Sequence, residues 1–595
     1  MSDTRRQWWR SLVFLLLLIA GLLVVLGRCW QLQYYQAQRL GQRAANQQRK
    51  EIPQFARRGT IVDRKGRPLA QSNRVYSVRI DPYLLTDPRG AAQKLAQLLS
   101  IPQEKLLADI LQRQDRRFMW VKRAISDDLA RQVRQLAIRG VVVESEYQRQ
   151  YPQGSLAGYV IGSTKIDGSG LEGVELYYDD NLAGKSGKLL LRSDVMRRPV
   201  RTQGPCPDSQ DGDTLVLTLD AVIQSIVEDE LKKVVEKFQA KGAVGIVMDP
   251  RSGEVLALAN WPGFDPAQTR QTEDHLRRNR ALTDPVEPGS VFKPFTVAAA
   301  LEGGFFTLND RIDCLDGPYS GKGFGTISEY KHPYGVLSVA EIIIKSSNVG
   351  AAKIAQKMGK KYFFGMIEKF GFGRKTGIDL PGEGNGLLMP LKEWKWGEYA
   401  LTRAAYGQGP VAATPIQLIR AFCILANGGQ VVKPRVARAI ISSDGEVIKD
   451  FGKLTMLLPV SAGSSPAAAD DRVISEKTAR NLITAALAGV VENKQGSAHN
   501  AYLAAYRVFG KTGTAQIPKK DGRGYQENQY ISSFMAGAPA EEPRVCVLVM
   551  VYQPDRSLGL GYTGGMVAAP VVKEIISQSL SYLQIPPRVS PPVDS

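Results

Sequence analysis

The chain has 595 residues, 44% of them hydrophobic, with 77 Lys+Arg against 58 Asp+Glu and a net charge of +19. It is too long for one ordinary domain and apolar enough for a substantial core, so about two to four domains are expected. Five scattered cysteines without a C-x-x-C pair suggest neither a disulfide framework nor a zinc site, and three histidines without an H-E-x-x-H pattern argue against a metal site.

The charge is uneven. Residues 1–150 hold 27 Lys+Arg against 12 Asp+Glu, which is +15 of the total. No basic stripe interleaved with aromatics and no nucleic-acid motif accompanies it, so no nucleic-acid partner is expected. A surface close to anionic lipid or an acidic partner fits better.

Ser11 to Gly27 is an uncharged apolar run, SLVFLLLLIAGLLVVLG. At about 17 residues it is at the short end of a spanning helix. Trp8, Trp9 and Trp30 flank it like an interfacial belt, and Arg5, Arg6 and Arg10 precede it. This pattern predicts a retained single-pass anchor with residues 1–10 cytoplasmic and the rest across the membrane. Beyond it, Gln31 to Lys50 reads as a polar helical stalk. Arg58–Arg64 (RGTIVDR) and Arg67–Ala70 read as two strands around a Lys65-Gly66 turn. Residues 87–140 read as short helices, Val141–Val143 as a strand, and 151–215 as mixed and glycine-rich. Asp220 caps a predicted amphipathic helix carrying Val222, Ile223, Ile226, Val227, Leu231, Val234, Val235 and Phe238. Val244–Met248 and Glu254–Ala259 then form a strand pair turning at Asp249–Gly253, and Tyr530–Ala538 and Arg544–Val551 form another. Ser461–Asp471 reads as a flexible loop, and a Pro-rich tail begins at Pro586.

Three short patterns carry candidate chemistry. At Ser290-Val291-Phe292-Lys293, a Pro288-Gly289 turn delivers a serine to the start of an apolar helix that ends at Gly303-Gly304. A serine hydroxyl needs a neighbouring base, and Lys293, three residues on, serves if its pKa is depressed. With so few histidines, a base other than His is expected. At Ser346-Ser347-Asn348, a polar triplet sits between a helix opened by the capping box Ser338–Glu341 and a second helix over 351–358. At Lys511-Thr512-Gly513-Thr514, an apolar strand places a lysine and two hydroxyls along one edge, and the missing side chain at Gly513 would let a substrate backbone approach. Two patterns recur elsewhere, as Ser328–Lys331 and as Lys375-Thr376-Gly377. Both are read as structural turns.

The order S-x-x-K, S-x-N, K-T-G resembles the penicillin-binding proteins. RGTIVDR, the GFGRKTGIDLPGE stretch, Gly407-Gln408-Gly409 and the anchor are similar to class B, the monofunctional D,D-transpeptidases. Within it, the layout is most similar to the division-type family. The resemblance implies an α+β fold: anchor at 11–27, stalk and pedestal at 28–220, a transpeptidase domain of antiparallel sheet flanked by helices at 221–580, and a tail at 581–595. It implies a reaction without cofactor. Ser290 would attack the penultimate D-Ala carbonyl of a peptidoglycan stem peptide, with Lys293 as base and Ser346 as proton relay. Asn348 would hold the donor amide, and Lys511, Thr512 and Thr514 would bind the terminal carboxylate. Lys511 would also help depress the Lys293 pKa. The backbone N–H groups of Ser290 and Thr514 would form the oxyanion hole. The resemblance implies β-lactams as inhibitors, and a lipid-linked glycan polymerase of the shape–elongation–division–sporulation type and divisome proteins as partners. An elongation-type class B transpeptidase, a D,D-carboxypeptidase or β-lactamase-like hydrolase with the same triad, and a silent β-lactam sensor are the competing readings.

Overall fold

The computed structural model describes residues 3–40, 49–54, 56–193, 199–200, 209–330, 333–394, 397–454, 472–519 and 524–588. Cys206, Lys331, His332 and the 461–471 loop lie outside them, as does most of the tail. The chain divides into two units.

The first unit comprises Met1–Ala56 and Gly184–Asp211. Its helix Asp3–Trp30 carries the apolar run, and Arg5–Tyr35 is long and apolar enough to cross a membrane. Gln31–Tyr35 continues it as a π-helical turn. Strands Arg49–Gln54, Gly187–Ser193 and Pro199–Val200 form a small antiparallel sheet.

The second unit holds everything else and contains two large sheets. In the first, the strands run in the order Val447–Asp450, Ala437–Ile441, Thr214–Leu217, Ile61–Val62, Pro68–Ile80, Met119–Ile125. Val141–Gln150 also pairs with Pro68–Ile80. The Met119–Ile125 strand interrupts the run of short helices expected over 87–140. Its two end residues, Met119 and Ile125, are buried in one cluster with residues of the helices Pro88–Leu99, Gln103–Gln112 and Asp127–Gln135. RGTIVDR ties this sheet down. Buried Arg58 donates to Glu175 (2.6 Å) and Asp179 (2.5 Å), and Arg149 donates to the other oxygen of Glu175 (2.6 Å). Asp63 accepts from the backbone N–H groups of Lys65 and Arg67, closing the expected turn, and from Ala221 N at 3.2 Å. A single buried carboxylate thus joins the hairpin to the helix that opens the catalytic region.

That helix is α1 (Ala221–Phe238), capped by the Asp220 side chain on Val222 N. It leads into β1 (Gly242–Met248) and β2 (Val255–Trp261). The helices α2 (Lys293–Glu302), α3 (Val339–Lys345), α4 (Asn348–Met358) and α5 (Pro415–Ala426) follow. Then come β3 (Phe509–Pro518), β4 (Tyr525–Ala538), β5 (Val545–Tyr552) and α6 (Gly564–Tyr582). The second sheet is antiparallel in the order β2-β1-β5-β4-β3. Every residue of β1 and all but the last of β5 are buried, which requires cover on both faces. The helices α1 and α6 pack on each other and on the sheet, and α5, buried along its whole length, packs on β1 and β5. The strand β3 is left at the sheet edge, beside the turn that carries Ser290.

Candidate active site

Ser290 lies on a 3₁₀ turn, Gly289–Phe292, and the α-helix begins only at Lys293. This differs from the helical placement expected for the serine, and the geometry favours the pair more. In a 3₁₀ turn, residues i and i+3 eclipse one another. Lys293 Nζ reaches Ser290 Oγ at 3.1 Å. Pro294 follows at a position where no backbone donor is required. Gly289 enters the turn at φ +58°, a region that favours glycine. Its N–H donates to Gly407 O at 2.9 Å. A Cβ on Gly407 would lie 2.4 Å from Gly289 O, which gives the Gly407-Gln408-Gly409 segment its function of close support.

Lys293 is fully buried and surrounded by acceptors. Besides Ser290, its ammonium reaches Ser346 O (2.5 Å), Ser346 Oγ (3.2 Å) and Asn348 Oδ1 (2.8 Å). Ser346 ends α3 in the left-handed region, φ +64°, which turns both its oxygens toward the lysine. Asn348 starts α4 and gives its other amide atom, Nδ2, to Ser328 O at 3.0 Å. From the sheet edge, fully buried Lys511 donates to the same Ser346 Oγ at 2.8 Å. One hydroxyl therefore bridges two lysines.

The electrostatics follow from that burial. Burial pushes Lys293 down to about 7, and the nearby Glu329 carboxylate opposes the shift. Lys511 is held well below the usual lysine range, first by burial and then by repulsion from Lys293. The depression of Lys293 was expected to come partly from Lys511. Desolvation is instead its leading cause, and the repulsion is felt on Lys511. Two buried ammonium groups sharing one acceptor disfavour being charged together.

The strand β3 alternates Lys511 and Gly513 with Thr512 and Thr514. Thr512 Oγ1 donates to Ser497 Oγ at 2.8 Å, and Thr514 Oγ1 accepts from Gly564 N at 3.2 Å. Gly513 also serves packing. A Cβ there would meet Ser533 Oγ at 2.4 Å and Val291 Cγ1 at 2.9 Å, so the glycine lets β3 pack against the nucleophile turn.

Ser290, Ser346, Asn348, Thr512, Gly513 and Thr514 line one cleft of about 830 Å³. Tyr330, Tyr562, Ser497 and His499 also line it, and nothing in the sequence patterns had singled them out for the cleft. Tyr330 and Tyr562 meet hydroxyl to hydroxyl at 2.8 Å. Ser328, from the second S-x-x-K, contributes only its carbonyl to the site's bonded network, through Asn348. Among the described residues no cluster of three or more His, Cys, Asp or Glu is arranged to hold a metal.

Residues 243–577 match the family described as the penicillin-binding protein transpeptidase domain, and 53–217 match the penicillin-binding protein dimerisation domain. The chain belongs to the class B penicillin-binding proteins. It is 34% identical over 590 residues to stage V sporulation protein D of Bacillus subtilis, covering 97% of this chain and 86% of that one. It is 31% identical over 539 residues to the peptidoglycan D,D-transpeptidase FtsI of Escherichia coli K12, covering 89% and 84%. The crystal structure of penicillin binding protein 3 from Mycobacterium tuberculosis, complexed with aztreonam, superposes with a TM-score of 0.67 at 28% identity, covering 91% of this chain and 99% of that one. This class B protein is accordingly a peptidoglycan D,D-transpeptidase with one apolar N-terminal helix.

Proposed function

We propose that the cleft cross-links peptidoglycan stem peptides during septal wall synthesis, through an acyl-enzyme on Ser290. The observation that carries this reading is the buried Lys293 amine, 3.1 Å from Ser290 Oγ and with its pKa lowered to about 7. A lysine neutral near physiological pH is the base that a serine hydroxyl requires. The donor peptide's terminal carboxylate would be drawn to Lys511 and the Thr512 and Thr514 hydroxyls, with Asn348 holding its amide. Its arrival stabilises a proton on Lys511 and leaves Lys293 the neutral member of the pair. Lys293 then takes the Ser290 proton as Oγ attacks the penultimate D-Ala carbonyl. The oxyanion would be held by the backbone N–H groups of Ser290 and Thr514, each such donor worth roughly 3–4 kcal/mol. Ser346, hydrogen-bonded to both lysines, would pass the proton to the departing D-Ala amine. An amine of a neighbouring stem peptide then attacks the ester and restores Ser290. A β-lactam would acylate the same oxygen and leave slowly.

The division-type resemblance supports the septal role. Arg5, Arg6 and Arg10 before the apolar helix support a catalytic region outside the cytoplasm. The domain limits proposed are 11–27, 28–220 and 221–580, with the basic pedestal as the docking side for a lipid-linked glycan polymerase and divisome proteins. Labelled β-lactam should be retained covalently by the native chain and by Ser328→Ala, and lost in Ser290→Ala. Donor peptide supplied with and without an acceptor amine separates transferase from hydrolase: product formed equally without acceptor would overturn cross-linking. Filaments on depletion support division, and rounded cells would overturn it in favour of elongation.

A further inference from the structure

Just after the strand Gly325–Ile327 stands a residue that the proposed mechanism leaves unused. Glu329 is half-buried, and both its oxygens are engaged. Its Oε1 accepts from Ser347 Oγ at 2.5 Å and from Val349 N at 3.1 Å. Its Oε2 accepts from Asn348 N at 2.8 Å. The preceding residue, Ser328, holds Asn348 Nδ2 through its carbonyl.

A carboxylate at a helix start is ordinarily a cap. Here α4 already has one, since Ser347 Oγ accepts from Gly350 N at 2.9 Å. Glu329 therefore grips the middle of the Ser346-Ser347-Asn348 triplet from behind. On one side of that grip Ser346 adopts the left-handed backbone that aims its carbonyl and hydroxyl at Lys293. On the other side Asn348 aims Oδ1 at the same ammonium. Three of the four acceptors on Lys293 belong to residues flanking the one whose hydroxyl Glu329 fixes.

We propose that Glu329 is a positioning residue for acylation, holding the Ser346–Asn348 triplet in register with Lys293 and Ser290. The inference rests on the assignment of Ser290 and Lys293 as nucleophile and base. Glu329 also acts at a distance. The charged groups facing Lys293 are Lys511 on β3 and Glu329 after the strand Gly325–Ile327, and the Glu329 charge favours the protonated amine. Neutralising Glu329 thus moves the lysine's titration to lower pH while loosening the grip on the triplet.

The test is the second-order rate of acylation of the full chain by a fluorescent penicillin, followed across the neutral pH range. Glu329→Gln should lower the plateau rate and shift its acid limb to lower pH. Glu329→Ala should lose about a hundredfold, the effect of a misplacement near 1 Å. Glu329→Asp should recover most of the rate and restore the native limb. The control is Glu341→Gln, which weakens the capping box of α3 without touching the lysines and should lower thermal stability alone. If Glu329→Gln lowers stability but leaves both plateau and limb native, the residue is an ordinary cap and the inference falls. If Ser290→Ala still labels, the site assignment itself falls. Loss of labelling in Ser290→Ala together with native profiles in the Glu329 variants overturns only the role of Glu329.

Discussion

The same three residues, Lys-Thr-Gly, occur twice in this molecule and fold into opposite things. At 511–513 they lie on the edge strand of the catalytic sheet, with the lysine fully buried and bonded to Ser346. At 375–377 they lie in an irregular loop, with Lys375 exposed. There the Thr376 hydroxyl and N–H, with the Gly377 N–H, all close on the buried Glu383 carboxylate. Thr512 instead spends its hydroxyl on a serine in the cleft wall. The comparison separates composition from placement. Lys511 becomes electrostatically unusual because the fold removes its water.

The largest expected effect comes from removing the base. Lys293→Met keeps much of the side-chain volume and should lower the acylation rate by about 10²–10⁴-fold, the range of general-base catalysis. The contrast between the twin motifs comes next. Lys511→Ala should lower acylation by about a hundredfold, by removing a positive group aimed at the developing and bound negative charge. Lys375→Ala should leave it unchanged, and a comparable loss in both would mean that placement does not set Lys511 apart. A smaller effect is carried by pH. The acting form is the neutral amine, so acylation should fall as pH drops through about 7 and level off above it. The sign follows from a folded lysine whose pKa lies below its ordinary value. A limb near the ordinary lysine range would mean that Lys293 is hydrated in solution.

Much of this was legible in the residues themselves, for physical reasons. The capping box at Ser338, the Asp220 cap, the strand pairs and the apolar run after Gly289 are local patterns, and local hydrogen bonds set them. The order of the three motifs named the family, and the comparisons bear that out. What stayed hidden depends on parts of the chain distant in sequence. Glu329 lies inside an S-x-x-K that reads as structural, and its partners, Ser347, Asn348 and Val349, stand beyond α3. The strands Ala437–Ile441 and Val447–Asp450 complete a sheet begun near Ile61, a pairing that no periodicity announces. The packing demand at Gly513 is hidden for the same reason, since Ser533 and Val291 set it.

The two glycines sharpen the comparison at the smallest scale. Gly513→Ala places a methyl 2.4 Å from Ser533 Oγ and 2.9 Å from Val291 Cγ1. Overpacking of this kind destabilises by about 1–3 kcal/mol, and relief requires β3 to move away from the Ser290 turn. Acylation should therefore fall together with stability. Gly377→Ala meets nothing closer than 3.2 Å, at the flexible end of Lys433, but forces alanine into φ +79°. That left-handed strain is worth about 1–2 kcal/mol and has no route to Lys293. Thermal unfolding and acylation measured on both variants should separate: both lose stability, and only Gly513→Ala loses rate. Equal rates in the two would mean that the edge strand tolerates displacement, and that the register of β3 against the nucleophile turn is looser than its packing indicates.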